Sequence, residues 1–152
     1  MSVSARLFLK YSSLPKMDVT NFFELVLFSW LTGNNDMHLK NFSLYEAADK
    51  IRLTPAYDLL NAAIINPKDD EELALTLNGR KKKLQREDFI KSAVTLDIEN
   101  VIVERLINKY IKLLPKFEAV IQSSFLSAEL KEKYGELLKE RVERLSTNAT
   151  KR

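Results

Sequence analysis

The sequence contains no cysteine, one histidine, three glycines and four prolines in 152 residues. Without cysteine there is no disulfide framework, thiolate zinc site, thiol nucleophile or cysteine-held cluster. The single histidine, His38, rules out the paired-histidine metal helix H-E-x-x-H. Gly33, Gly79 and Gly135 lie 46 and 56 positions apart, so neither G-x-G-x-x-G nor G-x-x-x-x-G-K-[ST] can be written. Scarce glycine and proline also argue against turn-rich β architectures and favour helices.

Long hydrophobic runs are missing too. The longest, Leu25 to Leu31, is broken by Ser29 and is too short to span a bilayer. The first residues lack a signal-peptide hydrophobic region with a small-residue cleavage site, so the expected location is the cytoplasm. Charge offers little: 24 Lys and Arg against 21 Asp and Glu give +3, a surplus that solubility explains without nucleic acid. What is abundant is apolar side chain, 45% of the residues, enough for one sizeable core. The length fits a single domain over 1–152.

Read along the chain, residues 1–17 show no clear period and are expected to form an irregular lead-in. Asn21-Phe-Phe-Glu24 has the form of a capping box, with Asp18 as an alternative cap one turn earlier. Phe22, Phe23, Leu25, Val26, Leu27, Phe28, Trp30 and Leu31 are apolar nearly all round, which predicts a helix buried on every side and stopped at Gly33. A polar loop, 34–41, follows. Phe42–Tyr45 and Ile51–Leu53 alternate and predict a small β-hairpin that ends at Thr54-Pro55. The acidic run Asp69–Glu72 and the basic run Arg80–Lys83 read as solvated segments. Helices are expected over 87–94, from about Glu99 with a break or kink at Pro115, and along a stripe from Leu130 to Leu145. Residues 147–152 should fray. The fold class is therefore mainly α with one small β-hairpin.

Chemistry collects on the loops around that hairpin. Asp36 and Asn41 have the D-x-x-x-x-N spacing of a kinase catalytic loop, in which the Asp takes a hydroxyl proton and the Asn offers a metal its carbonyl oxygen. Asp58 lies 22 residues beyond Asp36, across the hairpin, where a kinase places its second metal-holding acid. Oxygen ligands of this kind suit Mg²⁺. Each is also an ordinary turn residue. Their order after a fully buried helix is what separates them from chance.

Asn34-Asn-Asp-Met-His-Leu-Lys-Asn-Phe-Ser43, followed by Leu53-Thr-Pro-Ala-Tyr-Asp-Leu-Leu60, resembles the signature of HipA-type toxin kinases: D-x-H-x-K-N-F in the catalytic loop and T-P-x-Y-D in place of D-F-G. Leu77-Asn-Gly-Arg80 and the helical tail are similar to the same family's carboxyl-terminal domain. The resemblance implies the helical C-lobe of a protein-kinase-like fold, with the hairpin carrying the catalytic and metal-binding loops. It implies Asp36 as catalytic base, Lys40 as the cation facing the transferred phosphoryl group, and Asn41 and Asp58 as Mg²⁺ ligands. His38 and Tyr57 would lie beside the ATP, although His38 serves equally as a packing residue and Lys40 also reads as a solvated loop lysine. The implied reaction is phosphorylation of a protein serine or threonine, an aminoacyl-tRNA synthetase being the kind of target the family has. The implied partner is a HipB-like antitoxin, with DNA touched only through it. No glycine cradle is present, so the nucleotide lobe is expected to be absent from 1–152 and supplied by another chain or a missing segment. Two functions follow as expectations: a catalytic lobe, or a non-catalytic module that binds an antitoxin or target. Self-association is expected if cleft surface is left uncovered.

Overall fold

The computed structural model describes residues 2–66 and 70–147. Five helices and one hairpin follow each other in the order α1 (Ser2–Tyr11), α2 (Pro15–Thr32), a 3-10 turn (Leu39–Asn41), β1 (Leu44–Ala47), β2 (Lys50–Leu53), α3 (Arg86–Thr95), α4 (Asn100–Ser123) and α5 (Ala128–Ser146). This is the mainly helical fold with one hairpin that the composition predicts.

The core is built around α2. Phe22, Phe23, Leu27, Trp30 and Leu31 are wholly buried, and burial of each such side chain stabilises by about 1.5–3 kcal/mol. The helix begins at Pro15, two turns before the expected capping box, so Asn21 and Glu24 are interior positions. Proline suits a first turn because its missing N–H has no helical partner there. Asp18 does not cap its own helix. Its buried carboxylate accepts hydrogen bonds from Ser12 Oγ (2.6 Å), the Leu53 amide (2.9 Å) and Arg52 Nε (3.3 Å), so it pins α2 to β2.

The expected irregular lead-in is instead α1, a ten-residue helix that packs on α2 through Phe8 against Phe22, centroids 5.2 Å apart. Ala5 and Phe8 of α1 enter the core, while Leu7, Leu9 and Tyr11 stay about half exposed. Apolar residues on both faces hide the helical period.

The hairpin matches its expectation, with Leu44 opposite Leu53 and Ala47 opposite Lys50. Ala48 and Asp49 turn it at φ of 50° and 58°, the left-handed pair that matches the twist of a two-residue turn. Helix α3 covers the expected span. Helix α4 runs through Pro115 without ending, so of the expected break or kink the break does not occur. Tyr110 and Phe117 flank the proline, stack at 6.4 Å and both contact Phe28, so packing holds the two halves to one core. Thr147 continues the bonding of α5 by donating its amide to Glu143 O at 3.0 Å, while 148–152 lie outside the described residues.

The acidic run is not a solvated loop throughout. Asp69 lies outside the described residues, and Asp70 is exposed and paired with Lys82. Glu72, however, is half-buried and accepts from Trp30 Nε1 (2.9 Å), the Leu84 amide (3.0 Å) and Arg144 Nη1 (2.9 Å). Burial works to raise the Glu72 carboxyl, but those hydrogen bonds and the Arg144 charge outweigh it and hold the group below its ordinary value. Arg141 and Arg144 each stand 5.3 Å from the Trp30 ring centre, which binds α5 to α2. Burial lowers the Arg141 guanidinium to about 10. In the basic run, Lys81 pairs with Glu71 at 2.9 Å, so part of its charge is matched within the fold.

Candidate active site

Two loops at the end of α2 meet beside the hairpin. The first leaves the helix at Gly33, whose φ of 80° is the left-handed stop the sequence predicts. Glycine is required there for a second reason. A Cβ at this position would lie 2.5 Å from Asn61 Oδ1, and Asn61 is held by its bond from the Ile64 amide. The Ala63 amide donates to Gly33 O at 3.0 Å, so the two loops are stitched directly behind the site.

Beyond Gly33, Asn34 is buried and donates through Nδ2 to the Asp58 carbonyl at 3.1 Å. Asn35 reaches the Glu71 carbonyl at 3.2 Å. Asp36 is exposed, and its backbone oxygen accepts from the His38 amide at 2.8 Å, forming the turn that leads into Leu39–Asn41. Asn41 is buried and works in two directions. Its Oδ1 accepts from the His38 amide at 3.1 Å, and its Nδ2 donates to Asp58 Oδ2 in a short contact.

Asp58 itself is exposed, with φ of 55°, a strained value for a residue other than glycine. The strain is held by the Asn34 and Asn41 bonds on either side of it. Tyr57 locks the loops from the hairpin side: its hydroxyl donates to Lys40 O at 3.0 Å and lies 2.8 Å from Ser43 Oγ. The structure thus brings Asn41, Tyr57 and Asp58 into side-chain contact with one another's loops. Asp36, His38 and Lys40 join through the backbone of the same turn, with exposed side chains. The sequence argument singled out neither Asn34 nor Asn61; both act across more than twenty residues, which no local spacing signals.

The donor set fits a hard cation in kind. Asp58 offers a carboxylate and Asn41 an amide oxygen, and no cluster of three or more His, Asp or Glu among the described residues forms an all-protein cage. Asn41 presents Nδ2, not Oδ1, to Asp58, so offering its oxygen to an ion requires the amide to turn away from His38. Next to the Asp58 loop, a cavity of about 410 Å³ is walled by Leu25, Tyr45, Pro55, Leu59 and Tyr110. There burial, the Glu24 charge and a 3.0 Å hydrogen bond to Glu24 push the Tyr110 hydroxyl above its ordinary value.

A buried helix, a polar loop with Asp36 and Asn41, a hairpin and a second loop with Asp58 make up the helical lobe of a kinase-like fold. The model of the HipA-like C-terminal domain matches residues 1–117, and the chain belongs to that family. A Haemophilus influenzae protein named as an inferred kinase is 26% identical over 121 residues, 68% of this chain and 35% of that protein. The Sinorhizobium fredii protein Y4dM, likewise named as an inferred kinase, is 34% identical over 88 residues, 57% of this chain and 22% of that protein. The fold matches a HipA chain from Shewanella oneidensis MR-1, solved as a toxin–antitoxin complex of HipA, HipB and operator DNA. That match has a TM-score of 0.78 at 20% identity and covers 94% of this chain and 35% of the other. The chain therefore spans about a third or less of the length of these relatives. Among the described residues no helix is long and apolar enough to cross a membrane.

Proposed function

We propose that this domain is the catalytic lobe of a HipA-type serine/threonine protein kinase, a toxin of a toxin–antitoxin pair. The observation that carries the reading is the side-chain contact between Asn41 and Asp58, which brings an amide and a carboxylate from separate loops together, the first of them on the turn that also carries Asp36. In this reading Asp36 accepts the proton of a serine or threonine hydroxyl as its oxygen bonds to the terminal phosphorus of ATP. The bond to the bridging oxygen breaks and ADP departs. Lys40 balances charge on the transferred group, an electrostatic task that positioning makes effective. Asn41 and Asp58 would hold Mg²⁺, which when bound would neutralise phosphate charge. His38 and Tyr57 shape the nucleotide side, Tyr57 by fixing the turn through Lys40 O.

The glycine-rich phosphate cover of kinases cannot be written in these 152 residues. The proposal assigns it to a further lobe, covalently joined or separate. A HipB-like antitoxin is the proposed regulator, with DNA contacted through it, and a protein such as an aminoacyl-tRNA synthetase is the proposed substrate. The proposed setting is the cytoplasm. A second reading is that the lobe binds an antitoxin or target without chemistry.

Incubating the domain with its nucleotide lobe, Mg²⁺, ATP labelled at the terminal phosphate and a candidate protein acceptor separates the two. Label on serine or threonine is the expected result. A folded, ATP-binding assembly that labels no hydroxyl supports the binding module instead.

A further inference from the structure

Two hydrogen bonds tie Asp58 to the first loop, and they differ in what they occupy. Asn41 Nδ2 takes the carboxylate oxygen Oδ2, an atom that a cation would need. Asn34 Nδ2 takes the backbone carbonyl at 3.1 Å and leaves the carboxylate free. When the Asn41 amide turns its oxygen toward an ion, its bond to Asp58 is given up. The Asn34 bond does not compete with the ion and can stay.

The place of Asn34 at the end of α2 makes that tie a rigid one. Its amide donates to Ser29 O at 2.8 Å beside the Gly33 amide on Trp30 O at 3.2 Å, the paired bonds of a Schellman stop. They fasten Asn34, itself 2% exposed, to the most buried helix of the fold. Any residue supplies that amide, and the backbone of Asn34 is not left-handed, so neither feature calls for asparagine. The side chain does its work on Asp58. Gly33 O meanwhile accepts from the Ala63 amide, so consecutive residues of the first loop hold the second at two points. Asp58 needs such support because its φ of 55° is a conformation that residues other than glycine adopt at a cost. We propose, resting on the reading of these loops as a metal–nucleotide platform, that Asn34 is a positioning residue for the divalent cation. By holding the Asp58 carbonyl it keeps Asp58 left-handed and its carboxylate at the Asn41 turn. Without it Asp58 relaxes to negative φ, the carboxylate leaves that turn, and the cation is held less tightly.

Mn²⁺ in place of Mg²⁺ makes the affinity directly measurable, because binding removes the free-ion signal in electron paramagnetic resonance. The domain with its nucleotide lobe and a non-hydrolysable ATP analogue would be titrated with Mn²⁺, alongside Asn34→Ala, Asn34→Ser and Asp58→Asn. Asn34→Ala is expected to weaken Mn²⁺ binding by about 10–100-fold, the usual effect of removing a group that orients a metal ligand. Asn34→Ser, whose hydroxyl is one atom shorter than the amide, should show the same loss and decides the matter if the alanine variant does not fold. Asp58 is exposed, so its freed carbonyl can turn to water and the folded variants should melt close to the parent temperature. A folded Asn34 variant that binds Mn²⁺ as the parent does, while Asp58→Asn loses it, overturns the role of Asn34 and leaves the metal platform standing. Equal Mn²⁺ binding by the parent and Asp58→Asn overturns both.

Discussion

Replacing Asp36 with Asn is expected to lower phosphoryl transfer by about 10²–10⁴-fold, the usual contribution of a positioned general base. The change is nearly isosteric. Asp36 is exposed, and its hydrogen bond from the His38 amide within the turn runs through the backbone oxygen, which Asn retains. The loop should therefore hold its shape, and the loss should fall on kcat while ATP affinity stays as in the parent. Kinetics with the nucleotide lobe present, paired with direct ATP binding, check this. Undiminished kcat in Asp36→Asn would remove the residue from the chemistry.

The largest loss of stability is expected from Asp18→Ala. The carboxylate is 1% exposed and receives the Leu53 amide, Ser12 Oγ and Arg52 Nε. Removing one partner of a buried ion pair costs about 3–5 kcal/mol. Arg52 is 24% exposed and can regain some water, which places this case near the lower end, at about 3 kcal/mol. The Leu53 amide would lose its acceptor beside the hairpin. Asp18→Asn keeps an oxygen for that amide and should lose roughly half as much. Urea unfolding of the three proteins decides the matter; an Asp18→Ala protein as stable as its parent would show that the pin is idle.

Much of the candidate site was legible because its parts are local. Asp36 and Asn41 lie on one turn, Tyr57 and Asp58 on another, and the intervening hairpin announces itself by alternation. What no spacing revealed were the ties across the chain. Asn34 reaches Asp58, Asn61 presses on Gly33, and Glu72 joins Trp30 to Arg144 across 42 and 72 residues. Glu72 looked like part of an acidic loop because its neighbours Asp70 and Glu71 do face solvent or a surface lysine. Helix α1 was hidden by exposed apolar residues on its outer face. At Pro115 the expected break does not occur: the local rule against proline inside a helix is real, but an aromatic cluster spanning it holds α4 together. Local propensity gave way where tertiary contacts were dense.

The meeting of Asn41 and Asp58 is central to the proposed chemistry, and calorimetric titration of ATP with Mg²⁺ into the domain tests it most directly. The parent and Asp58→Asn would be run together, with the fold of each checked by circular dichroism. Metal-dependent binding in the parent that Asp58→Asn loses is the expected result. Equal binding by both proteins, or binding indifferent to Mg²⁺, would contradict the assignment of these loops as a metal–nucleotide platform.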